Sequence, residues 1–85
     1  MFLHLGEEQL VLSKDIIGIF DYNLVKKSRD TKEFIEIVTD EMVIEKISKN
    51  KEIKSFIITK DKVFLSPISS LTLQKRASDV SYQNN

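Results

Sequence analysis

A chain of 85 residues without a single cysteine has to stabilise its fold by packing alone. A domain this short buries only about 60% of the surface that its unfolded chain exposes, so its core is marginal. Disulfide bonds, thiolate zinc sites and cysteine nucleophiles are excluded together. The one histidine, His4, cannot supply a histidine-rich metal site. Self-association is the support that remains open to such a chain, and we predict no metal and no cofactor.

Net charge and hydropathy give no sign of a membrane or of a general attraction to nucleic acid. Thirteen basic residues balance thirteen acidic ones, and a net charge of zero creates no long-range field toward phosphate or anionic lipid. No apolar run approaches the roughly 18 residues that a bilayer-spanning helix needs. The N-terminal residues lack the basic start and apolar core of a signal peptide. We therefore expect a cytoplasmic protein without a membrane partner.

The apolar pattern predicts one α+β domain at residues 1–80, followed by a flexible polar tail at 81–85. Its elements follow the order β-β-β-α-β-β-β-α, which indicates a small, mostly antiparallel sheet with two short helices. The predicted strands are 2–5, 9–12, 16–20, 42–47, 53–59 and 63–66, and the predicted helices are 31–40 and about 70–80. Gly18 lies inside the third strand and indicates a bulge or the close approach of another group.

Capping residues mark the beginning of both helices. Asp30, with Glu33 three residues later, forms a capping box ahead of apolar residues at helical spacing. Ser69 or Ser70 can cap the second helix through its hydroxyl.

Lysines are unevenly distributed along the chain. Residues 1–22 carry one lysine against four carboxylates, whereas residues 46–62 carry six lysines against two carboxylates. Residues 42–47 fit either a helix or a strand, and we favour a strand that pairs with the strand after it. The resulting hairpin would project Lys49 and Lys51 from its tip, where they can reach a phosphate backbone. The alternative is a lysine-decorated edge that prevents sheets from aggregating.

The sequence offers no catalytic constellation. It lacks the P-loop, dinucleotide-binding and zinc-protease motifs, and two glycines cannot build a glycine-rich phosphate cradle. His4 has no nucleophile or acid predicted beside it, and the adjacent Glu7 and Glu8 point to opposite sides of an extended chain. We therefore expect neither an enzyme nor a small-molecule substrate.

Four segments together resemble a known bacterial pattern. They are HLG at 4–6, IIGIFD at 16–21, SFIIT at 55–59 and, the most specific, LSPISSLTLQKR at 65–76. Over about residues 2–78 the chain is similar to the RemB branch of the RemA/RemB family of extracellular-matrix regulators. The resemblance implies a DNA-binding transcriptional regulator of extracellular-matrix (biofilm) genes. It also implies a fold similar to LytTR-type DNA-binding domains and a ring-shaped homo-oligomer that holds double-stranded DNA on its outside.

The resemblance further indicates which residues bind DNA. The family's DNA-facing basic residues lie just before the third strand and at the turn before the SFIIT strand. Here these places hold Lys14, Lys49, Lys51 and Lys54. Lysines stand where arginines are expected, and Asp15 and Glu52 are interleaved. Because lysine lacks the bidentate fork of arginine, we expect backbone contacts rather than base reading. The alternative is an oligomeric protein-interaction or scaffold subunit without DNA binding.

Overall fold

Two β-sheets and three α-helices make up the described part of the chain. The computed structural model describes residues 1–27 and 29–83. The strands are β1 (Phe2–Gly6), β2 (Gln9–Leu12), β3 (Ile16–Asp21), β4 (Val43–Lys46), β5 (Ser55–Thr59) and β6 (Lys62–Ser66). The helices are α1 (Asn23–Lys27), α2 (Arg29–Glu41) and α3 (Ser70–Gln83). The predicted α+β class with mostly antiparallel pairing is confirmed.

Strand β5 is the centre of the larger sheet, whose strand order is β3-β5-β6-β4. All five of its residues are buried, and β3 and β6 pair with its two edges in antiparallel fashion. A short run of β-branched and aromatic residues such as SFIIT suits a strand that is covered on both faces. The smaller sheet is the predicted β1–β2 hairpin, which packs on one face of the larger sheet.

The hairpin predicted over residues 46–59 is wrong. Strand β4 does form, but it pairs in parallel with the outer edge of β6. Because β3 and β6 already occupy both edges of β5, no edge of that strand remains for β4. Residues 47–54 therefore form a crossover loop. Lys49 and Lys51 lie in this crossover loop and not at the tip of a hairpin.

The short helix α1 is missing from the sequence prediction, and α2 begins earlier than predicted. In α1 the side chain of Val25 packs into a core cluster, and Asp21 Oδ1 accepts a hydrogen bond from the backbone N–H of Asn23 (2.9 Å). Helix α2 begins at Arg29, so Asp30 lies inside its first turn instead of capping it. A carboxylate in the first turn still stabilises the helix through the helix dipole.

Helix α3 begins as predicted and extends further than predicted. The Oγ of Ser69 accepts a hydrogen bond from the backbone N–H of Thr72 (3.2 Å), which is the geometry of a helix cap. The helix continues to Gln83, three residues beyond the predicted end at 80. Residues 84 and 85 of the predicted tail lie outside the described residues.

One face of the larger sheet packs against the β1–β2 hairpin and α3. The buried centre of this layer consists of Leu3, Leu5, Ile57, Phe64 and Leu73. Ser66 ties the two sheets together, because its fully buried Oγ donates a hydrogen bond to the backbone oxygen of Leu5 (2.6 Å). The same Oγ accepts a hydrogen bond from the backbone N–H of Ile68 (3.0 Å). The buried hydroxyl of Ser66 and the backbone oxygen of Leu5 therefore both have a hydrogen-bond partner.

The opposite face carries a second, smaller cluster. Phe56, Ile58 and Val63 are buried there. Partly buried side chains pack against them, three from outside the sheet (Tyr22, Val25 and Met42) and one from β6 (Leu65). On the edge strand β3, the ring of Phe20 stacks on Phe56 with a centroid separation of 5.1 Å and an interplanar angle of 19°.

The ring of Phe20 occupies the space that a side chain at Gly18 would need. Strand β3 shifts register between Ile16 and Gly18, and a Cβ atom built on Gly18 would lie 2.4 Å from Cε2 of Phe20. The prediction that Gly18 marks a bulge or a close approach is therefore confirmed in both respects. Since the Phe20 ring is stacked on Phe56, it cannot move aside without disrupting the stacked pair.

We expect Gly18→Ala to lower the free energy of unfolding by about 1–3 kcal/mol, because the added methyl group displaces the ring of Phe20. In a Phe20→Ala background the same change should be neutral or stabilising, since alanine restricts the unfolded chain more than glycine does. Urea denaturation of both single variants and the double variant measures this coupling. Equal destabilisation in the two backgrounds would contradict the clash.

Ile57 and Ile37 form a matched pair for testing the core. Ile57 is fully buried in β5, whereas Ile37 on α2 is 63% exposed. Ile57→Ala should cost about 2–5 kcal/mol of unfolding free energy, and Ile37→Ala should stay within about 0.5 kcal/mol of the parent protein. Both are measured by urea denaturation at one protein concentration, because self-association adds to apparent stability. A similar cost at the two positions would refute the central place of β5.

Candidate nucleic-acid interface

The four lysines predicted to bind DNA lie at two opposite ends of the β3–β5 ladder. Lys14 lies in the 3-10 turn just before β3, at the end where Ile16 faces Thr59. Lys54 directly precedes β5 at the other end. The ladder spans about five residue steps of roughly 3.3 Å, so its ends are about 16 Å apart. One copy of the protein therefore presents two separate basic sites and not one patch.

Asp15, the acidic residue beside Lys14, forms an ion pair with Lys60, a pairing that was not predicted from the sequence. Asp15 Oδ1 lies 3.6 Å from Nζ of Lys60, in the turn between β5 and β6. The backbone N–H of Lys60 also donates to the backbone oxygen of Asp15 (3.1 Å). The carboxylate next to Lys14 is thus already paired with another lysine, and the side chain of Lys14 is exposed to solvent.

Lys49, Lys51 and Lys54 are all exposed in the crossover loop. Nζ of Lys51 lies 3.6 Å from Oε1 of Glu7, which occupies the tip of the β1–β2 turn with a left-handed φ of 50°. Among the residues that the structure describes, no ion pair involves Lys14, Lys49 or Lys54. Three of the four predicted lysines therefore present an unpaired ammonium group.

Both ends of the crossover loop are fixed to the sheet. At its start, the backbone N–H of Ile47 donates to the oxygen of Leu65 (3.0 Å). At its end, Lys54 donates its backbone N–H to Ser66 (2.9 Å), and its oxygen accepts from Tyr22 (3.0 Å). The backbone of Lys54 is therefore held in place while its side chain stays exposed, so the charge is presented from a fixed position.

Two ion pairs join the acidic and the basic segment of the chain. Glu7–Lys51 and Asp15–Lys60 each connect a carboxylate from residues 1–22 with a lysine from residues 46–62. The opposite charge balances of these segments are thus partly neutralised within one fold. Because the lysines of both pairs are well exposed, each pair contributes at most about 1 kcal/mol to stability, so an incoming phosphate can compete for either lysine.

The depression beside Lys54 does not suit an anion. Its volume is about 310 Å³, and its lining includes Asp21 and Glu52 together with Ser69 and Ser70 at the beginning of α3. The two acidic residues line the same depression as the beginning of α3, and negative charge is favourable near the beginning of a helix. They would repel a phosphate group, so the candidate interface consists of the exposed lysines rather than of this depression.

Two other kinds of site were sought in residues 1–27 and 29–83, a membrane-spanning helix and a metal cluster. No helix in these ranges combines the length and apolar character needed to span a membrane. Within the same ranges, no three histidine, cysteine, aspartate or glutamate side chains are grouped so that they could hold a metal ion.

The architecture defines a small α+β domain whose candidate site is a set of exposed charges on fixed loops. A family model described as RemA-like, extracellular matrix regulatory protein A-like, matches residues 2–77. The chain therefore belongs to the RemA-like family of extracellular-matrix regulatory proteins, and the resemblance found in its sequence is confirmed. It is 38% identical over 77 residues to extracellular matrix regulatory protein B of Bacillus subtilis (strain 168), an alignment that covers 91% of this chain and 90% of that protein. The similarity to LytTR-type domains stays a prediction.

Proposed function

We propose that this protein is a cytoplasmic, DNA-binding transcriptional regulator of extracellular-matrix genes that acts as a ring-shaped homo-oligomer. The observation that supports DNA binding is the presentation of Lys14, Lys49 and Lys54 as lysines without a carboxylate partner among the described residues. Ammonium groups on a fixed backbone suit contacts with phosphates, which release counterions on binding. The name of the Bacillus subtilis relative supports a role in regulating the matrix.

The two basic sites of each copy contact phosphates on either side of one groove. The β3–β5 ladder that lies between them is about 16 Å long, which is somewhat more than the width of the major groove, about 12 Å. Lysine is a point charge without a bidentate fork, so these contacts hold the DNA backbone and do not read bases. Selectivity then arises from how easily a given sequence bends around the ring.

Few lysines per copy make self-association part of the binding mechanism. A single domain with no net charge binds a duplex weakly, because non-specific affinity grows with the number of phosphates neutralised. In a ring, the contacts of the copies act together through high effective concentration. The protein is not an enzyme in this proposal, and it uses no small-molecule substrate.

A scaffold without DNA binding is the second candidate. It is favoured by large apolar side chains at the surface, such as Leu71, which is 77% exposed, and Ile17, which is 70% exposed. Such residues can bind another protein as well as another copy of this chain. The same oligomer would then present a partner surface near Phe20 and Tyr22.

Anisotropy of a labelled AT-rich duplex, titrated at several salt concentrations, tests the proposal. Wild-type protein should bind with a steep negative slope of log affinity against log salt. Lys49→Gln with Lys51→Gln should weaken binding and flatten the slope by about 0.9 for each phosphate that the variant no longer neutralises. Lys32→Gln with Lys75→Gln removes the same charge from α2 and α3 and should leave the slope unchanged.

Two outcomes would contradict this proposal. Folded wild-type protein that shows no salt-dependent binding would remove the DNA partner and favour the scaffold. An equal reduction of the slope in the two double variants would mean that total charge, and not the crossover loop, determines binding.

Glu7 should weaken DNA binding because it competes with phosphate for Lys51. We expect Glu7→Gln to raise affinity about two- to fivefold, the range that corresponds to an exposed ion pair of up to about 1 kcal/mol. Glu8→Gln changes the same charge one residue away and should have a smaller effect. In a Lys51→Gln background the gain from Glu7→Gln should fall to that of Glu8→Gln. Equal gains from the two substitutions in the parent protein would show that the ion pair plays no part.

A further inference from the structure

The turn before β3 and the turn between β5 and β6 lie side by side at one end of the larger sheet. Ile16 faces Thr59 in the β3–β5 ladder. One residue beyond this pair, the backbone N–H of Lys60 donates a hydrogen bond to the backbone oxygen of Asp15 (3.1 Å). This bond continues the ladder past the ends of both strands. Lys14 and Lys60 therefore lie on neighbouring backbone segments, although they are far apart in the sequence.

A threonine hydroxyl fixes the backbone of the turn that carries Lys60. Thr59 Oγ1 accepts hydrogen bonds from the backbone N–H groups of Lys62 (3.0 Å) and Asp61 (3.4 Å). It also donates to the backbone oxygen of Lys62 (3.0 Å). The backbone on both sides of Lys60 is thus held by hydrogen bonds, while the Lys60 side chain is 64% exposed.

The two members of the Asp15–Lys60 ion pair differ in exposure. The side chain of Asp15 is only 22% exposed, so its carboxylate lies against the protein, whereas that of Lys60 extends into solvent. Nζ of Lys60 lies 3.6 Å from Oδ1 of Asp15, which is longer than a charge-assisted hydrogen bond of about 2.7–2.9 Å. Exposed pairs of this kind contribute little to stability. The ammonium group can therefore leave the carboxylate at small cost.

Acidic and basic side chains are balanced at this end of the sheet. The paired lysines each have a carboxylate partner, and Asp61 is exposed and forms no ion pair among the described residues. The charged residues of this end are Lys14, Lys60 and Lys62 together with Asp15, Glu45 and Asp61. Balanced charges create no long-range attraction for a polyanion. A phosphate is therefore bound here only through direct contact with ammonium groups.

We propose that Lys14 and Lys60 form one site for a phosphate of the DNA backbone, and that Asp15 holds Lys60 until a phosphate takes its place. The inference rests on the proposed DNA binding and adds Lys60 to its contacts. A phosphate offers Lys60 the same kind of oxygen partner as Asp15 does. It also releases its condensed counterion on binding, which the internal ion pair cannot do. This release favours the exchange of partners.

Asp15 is then an internal competitor of DNA. It lowers the affinity of each copy by the free energy needed to separate it from Lys60. In a ring this effect accumulates over all copies that contact the duplex at once. The acidic residue beside Lys14 thereby keeps the binding of a single copy weak and makes binding depend more strongly on assembly.

Salt titrations of DNA binding by full-length lysine variants test whether Lys60 contacts a phosphate. Lys60→Gln should weaken binding to the AT-rich duplex and flatten the slope of log affinity against log salt by about 0.9 for each phosphate no longer neutralised. Lys60→Arg keeps the charge and should keep the wild-type slope. Lys75→Gln removes the same charge from an exposed position on α3 and should also leave the slope unchanged.

Two aspartates at the same end of the sheet form a matched pair for testing the competition. Asp15→Asn should raise affinity about two- to fivefold for each copy that contacts the duplex, because it releases Lys60. Asp61→Asn makes the same change of charge at a residue without an ion pair and should have a smaller effect. In a Lys60→Gln background, the gain from Asp15→Asn should fall to that from Asp61→Asn. Circular dichroism and light scattering check that each variant keeps the wild-type fold and mass.

Two results would overturn this site while leaving DNA binding intact. A wild-type slope in Lys60→Gln would show that Lys60 contacts no phosphate. Equal gains from Asp15→Asn and Asp61→Asn would show that Asp15 acts only through its charge and not by holding Lys60. Failure of the folded wild-type protein to bind the duplex would contradict the proposed function itself, and the site with it.

Discussion

The complete burial of β5 is the constraint on which the rest of the structure depends. Its five residues are covered on both faces and paired at both edges. The 85-residue chain must therefore supply a strand for each edge of β5 and a covering layer for each of its faces. The polar residues at its ends are satisfied locally. Ser55 Oγ donates to the backbone oxygen of Ile68 (2.7 Å), and Thr59 Oγ1 donates to that of Lys62 (3.0 Å). The loops at both ends of β5 are thereby fixed in position.

This constraint also decides where the lysines lie. Since β3 and β6 take the two edges of β5, β4 is displaced to the far edge of β6, and the chain has to cross back to reach β5. The crossover places Lys49, Lys51 and Lys54 at one end of the β3–β5 ladder, while the turn before β3 places Lys14 at the other. The distribution of charge is thus a consequence of strand order.

Sequence patterns predicted those features that depend on neighbouring residues. The turn at Gly6, the bulge at Gly18 and the cap at Ser69 all have local causes, and all were predictable. The partner of β4 was not predictable, because it depends on a competition among strands for the edges of β5. The pairing of Lys51 with Glu7 also could not be predicted from the sequence, because these residues come together only when both sheets have packed. A pattern along the chain carries no information on which distant charges come together.

In the proposed assembly, the sides of the sheet and the ends of its strands have different roles. The sides of the sheet carry exposed apolar groups, and the ends of its strands carry the candidate lysines. The proposed assembly would let a chain without net charge bind a polyanion, because it would repeat the unpaired lysines at regular intervals. Affinity in such a system depends on the number of copies that contact the duplex at once. If the proposed assembly forms, any change that weakens the contact between copies should therefore weaken the proposed DNA binding, even when every lysine remains in place.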